Sequence, residues 1–342
     1  MTIQDYFYSL EYEDDQFPSG GNYVANYKAF KDFMDQEIHP EIKTVTSRLN
    51  DEIYLNDHST RHVEMVILKI SQILEAPDIG FNYVSGYEYF LLLSAVQIHD
   101  AGHIINGRDG HAEAGKKFLE YYNGYSISSI ERKIIMRIAA AHSGKHDPIG
   151  NLENSTLLSG LKVRPRLLAS LLRLGDELAD ESSRASSYLL DLDKIPEYSR
   201  LFHVFSRCLD TYRADSQSGT IYMLFCVNKH YATEVFKKKN KDNSYEDVYL
   251  IDEIYTRSVK AFTECLYYNR FVPEKLRFRT INVTIEFLEN NGEEYLDRIS
   301  YRLEEKGYPQ VITENIFALA ETQLLRNGNR LTGEYIKSIL SV

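Results

Sequence analysis

The chain has no tryptophan, three cysteines and fewer basic than acidic residues in a length of 342. Each scarcity excludes something. Cys208, Cys226 and Cys265 are odd in number and far apart, which fits neither a disulfide framework nor a zinc motif, so reduced thiols are expected. The longest apolar run, Phe90 to Ile98, is too short to span a bilayer, and no membrane partner is expected. Met1-Thr2-Ile3-Gln4-Asp5 is acidic and no apolar stretch follows it, which argues against a signal peptide and makes the cytoplasm the expected location. Lys and Arg total 39 against 50 Asp and Glu, a net charge of −11, whereas a general nucleic-acid binder shows a basic balance or face. Nucleic acid is therefore not an expected ligand. The one compact basic run, Lys237-Lys238-Lys239-Asn240-Lys241, is followed by Asp242, Glu246 and Asp247 and reads as a solvated loop.

What is present suits a globular protein: 43% hydrophobic and 26% charged residues, with 26 Tyr and 16 Phe to fill a core. No repeat or low-complexity tract interrupts the chain. Residues 13–22 read as a loop, and a helical pattern runs from Val24 to about Leu55 with a break at His39-Pro40. Apolar residues at helical spacing predict a helix from His62 to Leu74, after cap chemistry at Asn56-Asp57. A second helix, Tyr87 to His99, is apolar nearly all round and should be central. Gly102, Gly107 and Gly110 mark a loop. Helices follow over His111 to Tyr122, Ser128 to His142 and Pro165 to about Ser183. Thr220 to Asn228 and Phe278 to Phe287 read as strands. Asp252 to Tyr268 between them is helical, and two further helices are expected from Glu293 and Glu314. The expected architecture is mainly α: a helical domain over 1–198 and a smaller α+β portion over 199–342.

Six of the ten histidines fall between residues 58 and 142. His99-Asp100 ends the apolar run, and a buried Asp is costly unless paired or bound to metal. A second such dipeptide, His146-Asp147, lies in a turn-like stretch and reads as solvated. His62 shares the face of Val66, Ile70 and Ile73, and His58 would join it if the helix began early enough. His142 ends an inward stripe of Ile135, Ile138 and Ala139. Asp176 sits in a Leu-lined helix, where Arg173 could pair with it across one turn. A lone inward His is ordinarily a hydrogen-bonded core residue. Several ionisable groups pointing inward from separate helices are how bundles build metal sites.

The order His62, His99-Asp100, Asp176 resembles the HD superfamily of metal-dependent phosphohydrolases. Asp57-His58-Ser59-Thr60-Arg61-His62 is similar to the segment presenting that family's first ligand. His99-Asp100-Ala101-Gly102-His103 is similar to its HD-x-G-H motif, and Gly110-His111-Ala112-Glu113 to the following G-H-x-E segment. Leu171 to Asp180 is similar to its last ligand helix. The resemblance covers residues 50 to 185 and is nearer to branches beside bacterial defence and signalling genes than to deoxynucleotide triphosphohydrolases. The latter carry a Pro-Phe pair where this chain has Ile104 to Asp109.

The resemblance implies an HD-domain helical bundle holding one or two divalent ions on His62, His99, Asp100 and Asp176. The mixed N/O donors suit Mn, Fe, Co or Zn, and Mg less well. With one ion, His111 and His142 would steady phosphate charge or protonate the leaving group. With two, they would ligate the second ion and Asp100 would bridge. His58 is expected to face substrate or support a ligand. His103 would orient the loop or contact substrate, and Arg173, Asp180 and Arg184, on or near the Asp176 face, would contact substrate or support a ligand, Asp180 by anchoring a ligand His. The implied substrate is a nucleotide, such as a deoxynucleoside triphosphate or a signalling nucleotide, or another phosphorylated small molecule. The alternatives are a nuclease and a nucleotide sensor without turnover. The 199–342 portion could serve a homo-oligomer or a protein partner.

Overall fold

A computed structural model of the chain describes residues 1–46, 60–106, 111–122, 127–180, 185–240, 244–289, 294–306 and 313–341. His58, Arg184 and the Asn56-Asp57 cap lie outside them. The described residues form two compact units, one of residues 1–46, 60–179 and 267–277, the other of 180–266 and 278–341.

The first unit is helical. α1 (Ile3–Ser9) is closed by a capping box between Thr2 and Asp5. α2 (Tyr23–Phe33) runs through a π-turn, Met34–Ile38, directly into α3 (His39–Thr46). The break expected at His39-Pro40 is thus absent. Pro40 lacks an N–H and crowds the carbonyl four residues back, and the wider turn absorbs both defects without ending the helix. α4 spans Thr60–Leu74 and α5 Gly86–Ile98. Every residue of α5 is buried, as its all-round apolarity predicts, and Ser85 and Glu88 form its capping box. His39 ties α3 to the end of α5 through Nε2, 3.0 Å from the Gln97 carbonyl, while Nδ1 lies 3.0 Å from Asp35 Oδ1.

Short helices α6 (His103–Asn106), α7 (His111–Ala114) and α8 (Lys116–Tyr121) follow, so the single helix expected over His111 to Tyr122 is divided. α9 (Ser129–Ala140) packs on α5. A hairpin of β1 (Thr156–Leu158) and β2 (Leu161–Val163) leads into α10 (Pro165–Glu177), with Pro165 in its first turn. Arg164 anchors the start of α10 to α5 through an ion pair with buried Glu88, 2.6 Å long. α10 stops at Glu177, short of the expected Ser183, so Asp180 lies beyond the helix. α10 also packs tightly on α4: a Cβ on Gly175 would stand 2.6 Å from Ile70 Cγ1.

The second unit holds the strands. After α11 (Ser187–Asp191) and α12 (Glu197–Cys208) come β3 (Leu209–Asp215) and β4 (Thr220–Asn228). α13 (Lys229–Thr233) precedes a hairpin of β5 (Phe236–Lys239) and β6 (Tyr245–Val248). The Lys run expected as a loop is therefore strand in part. Lys237 pairs with Asp247 and Lys238 with Glu253, so those two charges are answered within the protein. α14 (Leu250–Asn269) then leads to β7 (Thr280–Leu288) and β8 (Tyr295–Glu304).

The sheet order is β3-β4-β7-β8, with β4 and β7 parallel and the outer pairs antiparallel. A strand stands where a helix was expected from Glu293. Ile299, Tyr301 and Leu303 alternate inward along it, a period of two that the charged residues between them mask. Tyr301 also shares a 2.8 Å hydrogen bond with Ser258 of α14. Short elements complete the chain: α15 (Ile316–Ala320), the pair β9 (Leu325–Arg326) and β10 (Asn329–Arg330), and α16 (Gly333–Leu340). Cys208, Cys226 and Cys265 are reduced thiols outside any disulfide, and burial pushes the Cys208 pKa up to about 12. No helix among the described residues is long and apolar enough to cross a membrane.

Candidate metal centre

Three helices deliver the first group of donors. The inward face of α4 carries His62, the C-terminal end of α5 carries His99 with Asp100 just beyond, and the last turn of α10 carries Asp176. His62 Nε2 lies 3.0 Å from Asp176 Oδ1, 3.3 Å from His99 Nε2 and 3.5 Å from Asp100 Oδ2. His99 Nε2 lies 3.3 Å from Asp100 Oδ2 and 3.6 Å from Asp176 Oδ1. One donor atom from each residue falls within 4.8 Å of all the others. Gly175 makes this convergence feasible, because any side chain there would push α10, and Asp176 with it, off Ile70.

A second group meets the other oxygen of the same carboxylate. Asp100 Oδ1 lies 3.5 Å from His111 Nε2 and 3.7 Å from both His103 Nε2 and His142 Nε2. His111 and His142 face one another at 3.1 Å between Nε2 atoms, and the His103 and His111 rings stack at 4.2 Å. Gly102 permits this closeness, since a Cβ there would overlap the His111 carbonyl oxygen at 1.8 Å. His103 thus stands with His111 beside Asp100, a place that its spacing of three residues from Asp100 on a helical turn would have suggested.

The rings are held for lone-pair donation. His99 Nδ1 lies 2.8 Å from the Val96 carbonyl and His142 Nδ1 2.6 Å from that of Ala139, which puts hydrogen on Nδ1 and turns Nε2 inward. Burial opposes a charge on His99, yet the adjoining Asp100 and Asp176 carboxylates hold its pKa well above the ordinary histidine range. Burial likewise opposes ionisation of Asp176, but its bonds to His62 and His99 hold it well below the carboxylate range. For His142, burial and the neighbouring His99 push the pKa down to about 4, so the ring is neutral near pH 7. Imidazole nitrogens and carboxylate oxygens converging in a buried space form a donor set that fits a divalent cation. The Asp176 and His111 side chains are 26% and 16% exposed, while those of His62 and His99 are fully buried.

The remaining candidates make other contacts. Arg173 extends over the Tyr267 ring at 5.0 Å, and its guanidinium donates to the Ala141 carbonyl at 3.5 Å. Asp180 accepts a 3.0 Å hydrogen bond from Ser206. His146 is exposed, whereas Asp147 accepts from Tyr267 and Arg270. Tyr267 carries no local sequence signal, because its contact with residue 147 spans 120 positions.

No curated protein and no solved structure matches the chain. A family model described as HD-CE matches residues 51–225, a span that includes both groups of donors. With half of the sequence matched, and an HD-type cluster of His and Asp inside the matched part, the chain belongs to the HD-CE family.

Proposed function

We propose that the chain is a metal-dependent phosphohydrolase whose substrate is a nucleotide. The observation that carries this reading is the division of Asp100: one carboxylate oxygen faces His62 and His99, the other faces His103, His111 and His142. Such a carboxylate is suited to lie between two cations, with His62, His99 and Asp176 on one side. On the other side His111 and His142 would be the ligands, with His103 next to them. A divalent ion held there supplies the charge that acidifies a water molecule and polarises a phosphoryl oxygen.

The protein's own groups do the rest. The Val96 and Ala139 carbonyls fix the tautomers of His99 and His142, so neither ring has to reorganise on binding. His142, neutral near pH 7, is a better electron-pair donor than a proton source. Among the described residues, Asp176 and His111 are the partly exposed members of the cluster, and a phosphate group would approach it past them. The pairing of Lys237 and Lys238 with acidic neighbours favours a small phosphorylated substrate over a nucleic-acid strand.

Metal analysis of the purified chain, followed by a nucleotide panel with added Mn resolved by chromatography, tests the reading. Release of phosphate or of a cleaved nucleotide is expected. A metal-loaded protein that binds a nucleotide and leaves it intact would instead make the chain a sensor.

A further inference from the structure

The second His-Asp dipeptide has a place in the first unit that its turn-like sequence does not announce. Asp147 has a positive φ of 62° and carries a side chain bonded from several directions. Tyr267 Oη donates to its Oδ1 at 2.8 Å, Arg270 to its Oδ2 at 3.0 Å, and the Gly150 N–H to Oδ1 at 3.3 Å. The same Tyr267 hydroxyl accepts the Ile149 N–H at 3.0 Å. The loop that leaves His142 is therefore fastened at Asp147 and Ile149 to one tyrosine.

The ring of that tyrosine carries Arg173 on its face, 5.0 Å from guanidinium to centroid. Arg173 precedes Asp176 by one helical turn and reaches the Ala141 carbonyl, next to His142. It is half-buried and lies on the side of α10 where Asp176 is open to solvent. A guanidinium at that edge, restrained by a ring and a carbonyl, suits a phosphate oxygen entering the cluster, and restraint before binding lowers the entropy lost on contact.

We propose that Arg173 binds substrate phosphate at the mouth of the cluster, and that Tyr267 and Asp147 are positioning residues that hold it and the 142–150 loop in place. The inference rests on the phosphohydrolase reading above. Tyr267 acts through its ring on Arg173 and through its hydroxyl on the loop. Asp147 acts only through Tyr267 and the loop.

The test uses the full chain loaded with Mn, with inorganic phosphate as the probe. Mn binding is followed by electron paramagnetic resonance and phosphate binding by calorimetry. Arg173→Gln, Tyr267→Leu, Tyr267→Phe and Asp147→Asn should all bind Mn as the parent does. Arg173→Gln should weaken phosphate binding about 10-fold or more, and Tyr267→Leu by roughly 3- to 10-fold. Tyr267→Phe, which keeps the ring and its packing, should lose less, and it keeps the test open if the Leu variant fails to fold. The double variant Arg173→Gln, Tyr267→Leu should be no weaker than Arg173→Gln alone, a coupling that a merely structural tyrosine would not show. Parental phosphate affinity in Tyr267→Leu, or losses that simply add, would overturn the proposal alone. A parent protein that binds Mn but no phosphate would overturn the proposal and the phosphohydrolase reading together.

Discussion

The side chains of the cluster stand at distances where every extra proton or cation matters. His99 keeps a raised pKa because Asp100 and Asp176 face it, so in metal-free protein its charged form adds stability below its ordinary value of 6.5. That contribution is lost as pH rises through the raised value. Asp176 behaves in the opposite sense: its contribution is present above 3.8 and is lost as pH falls through its depressed value. Melting of chelator-treated protein should therefore decline on the alkaline side of the His99 transition and on the acid side of the Asp176 transition. With Mn bound, the cation replaces the proton on His99 and the alkaline decline should flatten. Thermal melts against pH, with and without Mn, check this. A second expectation concerns His111 and His142, which face each other across 3.1 Å. If both serve the reaction, His111→Asn and His142→Asn should each lower kcat ~100-fold or more with little change in Tm. If both only fill the core, stability should fall by ~1–3 kcal/mol while kcat holds. Paired melts and steady-state kinetics separate the two.

Among the elements, the close approach of α4 and α10 decides whether His62 and Asp176 can meet. Gly175→Ala would set a methyl group 2.6 Å from Ile70 Cγ1, and overpacking of this kind costs ~1–3 kcal/mol. Lower Tm and weaker Mn binding are expected together, and trimming the obstacle in Gly175→Ala, Ile70→Ala should recover part of the Mn affinity. The helices that carry the cluster were the legible ones. α4, α5 and α10 are amphipathic or wholly apolar over three to four turns, and His62, His99 and Asp176 sit in phase with their buried residues. Elements whose form depends on distant partners were not legible in the same way. β8 reads as charged until β7 pairs with it and buries Ile299, Tyr301 and Leu303. β5 reads as a basic loop until β6 supplies Asp247. Pro40 reads as a break because a π-turn that relieves it leaves no mark in local sequence.

Over the whole molecule, chain order and compactness diverge. Residues 267–277 belong to the same unit as the cluster although the matched family region ends at 225. A fragment ending at residue 225 would lack Tyr267 and Arg270, and with them the fastening of the 142–150 loop. It should melt lower than the full chain and be cut by protease within that loop, and equal melting with equal resistance would show that the segment adds nothing. Asp100 stands between the two groups of donors, so its substitution affects both at once. Mn stoichiometry by calorimetry and phosphate release from a nucleotide panel would be measured on the full chain and on Asp100→Asn, with circular dichroism to verify the fold. The two-ion reading implies about two Mn per parent chain, in keeping with a carboxylate shared between two ions, and measurable turnover, with a folded Asp100→Asn falling short of the parent in both. A folded Asp100→Asn that binds Mn and releases phosphate as the parent does would contradict it.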